Sequence, residues 1–400
     1  MPELPQPFFG AIVNGVDVYP SDETEYSIES DYTVPTDGWF FKVYRDQLSK
    51  RPSLREAFMP LMPVELSIDG KTQVLGRIDS VEGDGTGALV VHGRDYLADL
   101  TQGNADPKTK FKKGDTLGDA LLRVFAPFGV TSIEESGFAA TRNLLTGTTP
   151  KSKPPRDFRA SKLDEYKIGF GQGAFEVGNR IAARHGFTLQ PAPTRGSIAL
   201  AEPDYEQPVS YVLRRDDSGN VLRGKAMRDW SEVPTSVTVV SKAKGKRGAK
   251  TGEVTIPAIG PGSPNRLHEV DEVQRILKAI EVQSQEYTDL PEFAPAVAPG
   301  GYFRPLYHED KEARNDEQVM RVAKRLLADR LRRTLLYECT VLGHVNAETG
   351  ALYSVDTIAH IIDPIEQVNE PLWVISRTLR NDGRGAVTDL RLIRPHTWVL

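Results

Sequence analysis

A chain of 400 residues exceeds one typical hydrophobic core, so roughly two to four domains are expected. Its 39% apolar and 26% charged content is that of an ordinary globular protein, and 50 basic against 55 acidic residues leave a net charge of −5. That balance argues against a dedicated nucleic-acid binder, which carries a basic excess over a whole domain, and the one cysteine, Cys339, excludes an internal disulfide framework or a thiolate-rich metal site.

The N-terminal "MPELPQPFFG" lacks the charged-then-apolar pattern of a signal peptide. "GAIVNGVDVYP" alternates around Asn14-Gly15, a two-residue hairpin signal, and "WFFKVYR" (Trp39 to Arg45) is a second strand. "LMPVELSIDGKTQVLGRIDSVEGDGTGALVVHGRD" has a tight turn at Asp69-Gly70 and a third run after Gly87. Such an antiparallel meander curls or packs on something, as in a small barrel or sandwich. Its last strand runs into "ALVVHGRDYLADL", with His92, Arg94 and Asp95 close together. A histidine beside a carboxylate at a strand end resembles an active site. The plainer reading makes Asp95 the N-cap of a following helix and Gly93 the bend before it, with His92 and Val91 on opposite faces.

"TLGDALLRVFAPFGV" (Thr116 to Val130) is predicted as a helix with Leu117, Ala120, Leu121, Val124 and Phe125 on one face, ended by Pro127. Residues 146–162 read as a loop. "GQGAFEVGNRIAARHGFTLQ" is a helix with Phe175, Ile181 and Ala182 inward and Gly186 as its stop. Short strands follow around Ile198 and from Val209 to Arg214. The β pattern continues through "SYVLRRDDSGNVLRGKAMRDW", "TSVTVVSKAK" and "GEVTIPAI". "VDEVQRILKAIEVQ" is helical, and "TDLPEFAPAVAPGGYFRPLYHED" is proline-rich and extended. "NDEQVMRVAKRLLADRLRRTLL" is the strongest helix, with Val319, Val322, Leu326 and Leu327 along one stripe. Cys339, in "LLYECTVLGHV", reads as a small buried hydrophobe. Further strands lie around Tyr337 to Gly343, Leu372 to Leu379 and Val387 to Arg394. No run of apolar residues is long enough for a membrane helix, so no stable membrane association is expected.

Motifs for chemistry are incomplete. Gly219, Gly224 and Lys225 match the spacing of a phosphate-binding loop, but Ala226 stands where Ser or Thr must hold magnesium, and a hairpin surrounds them. His268-Glu269 begins a zinc motif that Glu272 breaks. "YHEDKE" (Tyr307 to Glu312) offers metal ligands with no partner cluster. "GFGQGAFEVG" departs from dinucleotide-loop spacing. The acid pairs Glu134-Glu135 and Asp216-Asp217 are merely adjacent in sequence. No catalytic, cofactor-binding or metal residue is therefore assigned, and no cofactor. "KAKGKRGAK" places Lys242, Lys244, Lys246, Arg247 and Lys250 in a glycine-rich hairpin tip, either simply solvated or in contact with an acidic partner surface.

Motifs occur in a telling order. "VVHGRDYLADL" precedes "GQGAFEVGNRIAARHGFTLQ", then "LRGKAMRDWSEVPTSVTVVSKAKG", then "LYECTVLGHVNAETGALYSVDTIAHIIDP" and a final Gly385, Thr388, Leu390, Leu392, Pro395 pattern. In this order the chain resembles, over most of its length, the baseplate hub proteins of Mu-like contractile phage tails, which are similar in fold to the N-terminal part of type VI secretion spike proteins. The resemblance implies a β-rich α+β fold: two tube-type antiparallel β-barrels, an α/β insertion domain and a smaller mixed domain. The expected domains are 1–95, a first barrel completed by strands around 196–225; 96–195, the α/β insertion; 226–262 with 335–400, the second barrel; and 263–334, a helical and proline-rich peripheral domain.

The resemblance also implies a homotrimeric ring of pseudo-sixfold symmetry, joining the sixfold tail tube to the threefold central spike. Its partners would be the central spike protein, the tail tube protein, the tape-measure protein and baseplate wedge proteins, with DNA only as passing cargo. It would be a virion structural protein and not an enzyme, assembled in the host cytoplasm and located in the tail baseplate. The chain ends at its last strand, leaving no room for an appended lysozyme-like domain. Residues 285–310 are more irregular than the family pattern. The alternatives from other classes are a cell-wall glycan hydrolase and a β-rich ligand-binding module of a tail.

Overall fold

The computed structural model describes residues 8–18, 24–34, 36–51, 54–111, 116–135, 168–183, 187–192, 194–205, 207–216, 219–234, 236–241, 251–255, 304–310, 316–382, 385–395 and 397. Among these, strands predominate. The chain divides into two compact units. Unit 1 comprises Met1–Pro203, Thr340–Asp356 and Val374–Leu390; unit 2 comprises Asp204–Cys339, Thr357–Trp373 and Arg391–Leu400.

Unit 1 begins with strands β1 (Phe9–Val13), β2 (Val16–Asp17), β3 (Tyr26–Asp31) and β4 (Gly38–Val43). Short helices α1 (Arg45–Lys50) and α2 (Leu54–Ala57) follow, then β5 (Pro63–Ile68), β6 (Lys71–Gly83) and β7 (Leu89–Asp95). These strands pair antiparallel in the order β3-β4-β7-β6-β5-β1-β2. Both expected hairpins are present. Asn14 and Gly15 have φ of 51° and 76°, and Asp69 and Gly70 have 51° and 73°, so both central residues of each turn are left-handed. That is the twist a two-residue hairpin needs, and Asn, Asp and Gly supply it at least cost. Alternation along β4, β5 and β7 sends every second side chain inward. The inner face is aromatic. Phe9 and Tyr26 stack at 4.3 Å between ring centroids, and Trp39 and Phe41 at 5.9 Å. Each such pair adds about 0.5–1.5 kcal/mol beyond its buried area.

A second core in unit 1 is α/β. It contains α3 (Ala98–Gln102), α4 (Leu117–Phe125), β8 (Ser132–Glu135), α5 (Ala174–Ala183), β9 (Thr188–Pro191) and β10 (Ser197–Ala201). The sheet order is β8-β10-β9, with β8 parallel and β9 antiparallel to β10. α4 starts at a capping box: Thr116 Oγ1 accepts from the Asp119 amide at 3.0 Å, and the Asp119 carboxylate accepts from the Thr116 amide at 3.1 Å. Leu117, Ala120, Leu121, Val124 and Phe125 are buried as the spacing predicts. α4 stops before a short 3₁₀ turn at Ala126–Phe128, where Pro127 cannot continue it. On α5, Ile181 and Ala182 are buried as expected, but Phe175 is only partly so. Ala174, Val177 and Gly178 take the inner stripe instead. A Cβ on Gly178 would strike the Phe125 ring, so glycine lets the two helices approach. Gly186, the expected stop, lies outside the described residues.

Unit 2 holds β11 (Val209–Arg214), β12 (Val221–Met227), β13 (Ser236–Ser241), β14 (Thr251–Thr255), β15 (Pro305–Asp310) and α6 (Asp316–Leu331). β13 pairs antiparallel with β14 and parallel with β15. α6 buries Val319, Ala323, Leu327 and Leu331 against Val233, Val237 and Val239, with Val322 and Leu326 partly buried. Both halves of the predicted stripe thus face this core. The helix predicted from "VDEVQRILKAIEVQ" lies outside the described residues.

The last strands are β16 (Leu336–Leu342), β17 (Thr357–Asp363), β18 (Val368–Asn381) and β19 (Ala386–Ile393). Those of unit 2 join β11 and β12: β17 pairs parallel with β11, and β16 neighbours β12. The unit boundaries fall inside β16, β18 and β19. β18 also pairs with β17, and its residues 376–381 pair with β3. Hydrogen bonding among the described strands does not close into a ring.

Candidate functional site

The end of β7 is a structural joint. Asp95 is 4% exposed, and both its carboxylate oxygens are occupied. Oδ1 accepts from the Leu97 amide at 2.9 Å and Oδ2 from the Asp37 amide at 2.8 Å, while the Asp95 amide donates to the Asp37 carbonyl at 3.0 Å. The helix N-cap is Leu97, not Asp95 as expected. Asp95 instead makes a side-chain turn two residues ahead and ties β7 to the residue before β4. Gly93 is not a bend either. It stays in register between Trp39 and Ile78, and a Cβ there would strike the Trp39 ring and the Arg77 carbonyl. His92 points away from buried Val91, as alternation requires, and lies 5.7 Å from the Phe40 ring.

Burial raises the Asp95 carboxyl well above its ordinary range, and the nearby Asp37 carboxylate adds to this. Burial likewise raises Asp37 to about 6, against the pull of the Arg377 guanidinium and a hydrogen bond from Ser30 Oγ at 3.0 Å. Arg377 itself donates to the Tyr353 carbonyl at 2.6 Å and to Gln73 Oε1 at 2.8 Å. Acids spent on backbone amides in this way are struts and are not presented to a substrate.

A second buried network lies in the same unit. Tyr26 Oη is 2.7 Å from His344 Nε2, and His344 Nδ1 is 3.0 Å from Thr388 Oγ1. The Thr388 hydroxyl donates its one proton to the Gly343 carbonyl at 2.7 Å. His344 Nδ1 must therefore donate to Thr388, which leaves Nε2 to accept from Tyr26. Burial, helped by the Arg377 charge, pushes His344 down to about 4. The imidazole is neutral and fully engaged.

On the surface of unit 1, Arg77 and Arg94 are cross-strand partners. Arg77 pairs with Asp99 at 2.8 Å and Arg94 with Asp79 at 2.6 Å, and the Gln102 amide oxygen accepts from Arg94. Arg77 and Arg195 each hold their guanidinium carbon 5.2 Å from the centroid of the Tyr96 ring.

In unit 2, Gly219 to Lys225 belong to the β11–β12 connection and β12, not to a phosphate loop. A Cβ on Gly224 would collide with Tyr337 Oη and Asp363 Oδ2, and the Gly224 carbonyl accepts from Arg215 at 2.9 Å. Tyr337 donates to Asp363 at 2.8 Å. Asp216 pairs with Arg214 at 3.0 Å. A bidentate pair, Arg394 with Glu370 at 3.1 Å for both bonds, is buried. Tyr307, His308, Glu309 and Asp310 of "YHEDKE" lie along β15, and no group of metal-ligating side chains occurs among the described residues. Cys339 is buried, as expected. The basic residues Lys242, Lys244, Lys246, Arg247 and Lys250 lie outside the described residues, as do His268, Glu269, Glu272 and Asp217. No helix among the described residues is long and apolar enough to cross a membrane.

No family model matches the chain, and no curated protein matches it in sequence. Solved structures do. The tail protein from Neisseria meningitidis MC58 superposes with a TM-score of 0.68 at 19% identity, covering 98% of both chains. The 43 kDa tail protein of prophage MuSo2 from Shewanella oneidensis also gives 0.68, at 17% identity, covering 98% of this chain and 99% of that one. A chain of the Francisella PdpA–VgrG complex gives 0.51 at 8% identity, covering 98% of this chain and 58% of that one. The structural neighbours are thus phage tail proteins and a VgrG-complex chain. The likeness read from motif order holds at the level of the fold over nearly the whole length.

Proposed function

We propose that the chain is a structural protein of a phage tail, the hub of the baseplate. One observation carries this reading: the fold matches two tail proteins from end to end, over 98% of this chain and 98–99% of theirs. The way this chain spends its buried polar groups supports it. Asp95 and Arg377 hold backbone atoms, His344 bridges the hydroxyls of Tyr26 and Thr388, and Arg394 pairs with Glu370, which suits a rigid ring element that needs interfaces and no reaction.

On this reading three copies form a ring, each contributing two tube-type β-barrels, an α/β domain and a peripheral domain. The ring joins a sixfold tail tube to a threefold central spike, with tape-measure and wedge proteins as further neighbours and DNA passing through. Strand pairing that stays open within the described residues of one copy is completed in the assembly, which also protects the strand edges. The loop of Lys242, Lys244, Lys246, Arg247 and Lys250 contacts an acidic neighbour. The chain is not an enzyme, and it resides in the virion tail.

Light scattering on the purified chain, alone and mixed with the spike protein, tests the hub. A particle of three times the monomer mass with a threefold ring in electron micrographs is expected. A stable monomer in both conditions refutes it.

A further inference from the structure

Arg195 is an exposed arginine of unit 1 held against an aromatic ring. It sits at the corner of a turn closed by the Ser197 amide donating to the Thr194 carbonyl at 3.1 Å. The turn is fixed from behind. The Thr131 amide donates to the Gly196 carbonyl at 2.8 Å, and Gly196 takes the left-handed φ of 80° that the turn requires. The guanidinium is then laid over the Tyr96 ring, which Arg77 also touches. Arg77 has Asp99 and Arg94 has Asp79, so three guanidinium groups meet two carboxylates. Arg195 is exposed and has no carboxylate among the described residues.

We propose that Arg195 is a docking point for one carboxylate of another tail protein, an inference that rests on the tail reading above. The Tyr96 ring holds the guanidinium in place while the residue stays exposed, so its N–H groups are within reach of a carboxylate, which a guanidinium can bind bidentately. A single uncompensated charge suits a single acid. Nucleic acid would bring a row of phosphates against Asp79 and Asp99, whose side chains are 40% and 34% exposed beside it.

The test uses the virus that encodes the chain. Mass spectrometry of purified wild-type tails comes first, and absence of the chain there refutes the tail reading itself. With the chain present, Arg195→Ala and Arg195→Glu are expected to lower the yield of complete particles about tenfold or more, and Arg195→Lys to restore only part of it. The purified variants should melt like the wild type. Suppressors of Arg195→Glu should exchange an acid for Lys or Arg in a second tail protein. Wild-type yield from Arg195→Glu overturns the proposal. So does a lowered melting temperature, which assigns Arg195 to the fold, or intact particles that fail only in DNA delivery, which assigns it to nucleic acid.

Discussion

His344→Gln isolates the charge state of the Tyr26–His344–Thr388 network. In the unfolded chain the imidazole titrates near its ordinary value of 6.5, and in the fold near 4. A depressed histidine binds fewer protons folded than unfolded between these limits. Its contribution is complete above about pH 6.5 and is lost as pH falls toward 4. At about 1.4 kcal/mol per unit, the loss by pH 4 is roughly 3 kcal/mol. Glutamine keeps one donor and one acceptor and cannot titrate. Urea unfolding from pH 4 to 8, followed by hydrogen exchange in peptides carrying Tyr26 and His344, gives the difference in stability between wild type and variant. That difference should shift against the wild type by roughly 3 kcal/mol on going from pH 7 to pH 4. Parallel pH curves for the two proteins would refute the buried neutral imidazole.

Asp37 acts in the opposite direction. Its carboxyl is raised to about 6 in the fold, so its contribution is complete at low pH and is lost as pH rises from about 4 to about 6. Asp37→Asn should remove that slope and raise stability at pH 7 by about 3 kcal/mol, read from the same urea curves. In unit 2, Arg394→Ala leaves Glu370 buried and unpaired and should cost about 3–5 kcal/mol by chemical denaturation. Replacing both by Met and Leu should recover most of it.

The strand and helix content was legible because short-range rules decide it. Asn14-Gly15 and Asp69-Gly70 declare their hairpins, and the buried face of α4 follows from apolar spacing alone. The roles of Asp95 and Gly93 were misread because their neighbours are distant in sequence. Asp95 is held by the amide of Asp37, and Gly93 makes room for Trp39. A local pattern of Gly followed two residues later by Asp before a helix is also what a bend and a cap look like. Arg195 gave no signal, since what distinguishes it is a ring contributed by Tyr96 and the pairing of Arg77 with Asp99. His344 was hidden for the same reason, its two partners lying on β3 and β19.

The interleaving of the units sets a timetable for synthesis. Unit 1 draws on residues 374–390, so its β3 edge has no β18 partner until residues 376–381 have been made. Translation at about 5–20 residues per second leaves that edge open for tens of seconds, a window in which chaperones or early partners gain access. A ribosome that stops short of β18 yields neither unit intact. Incomplete chains are thereby kept from any assembly that selects the finished fold.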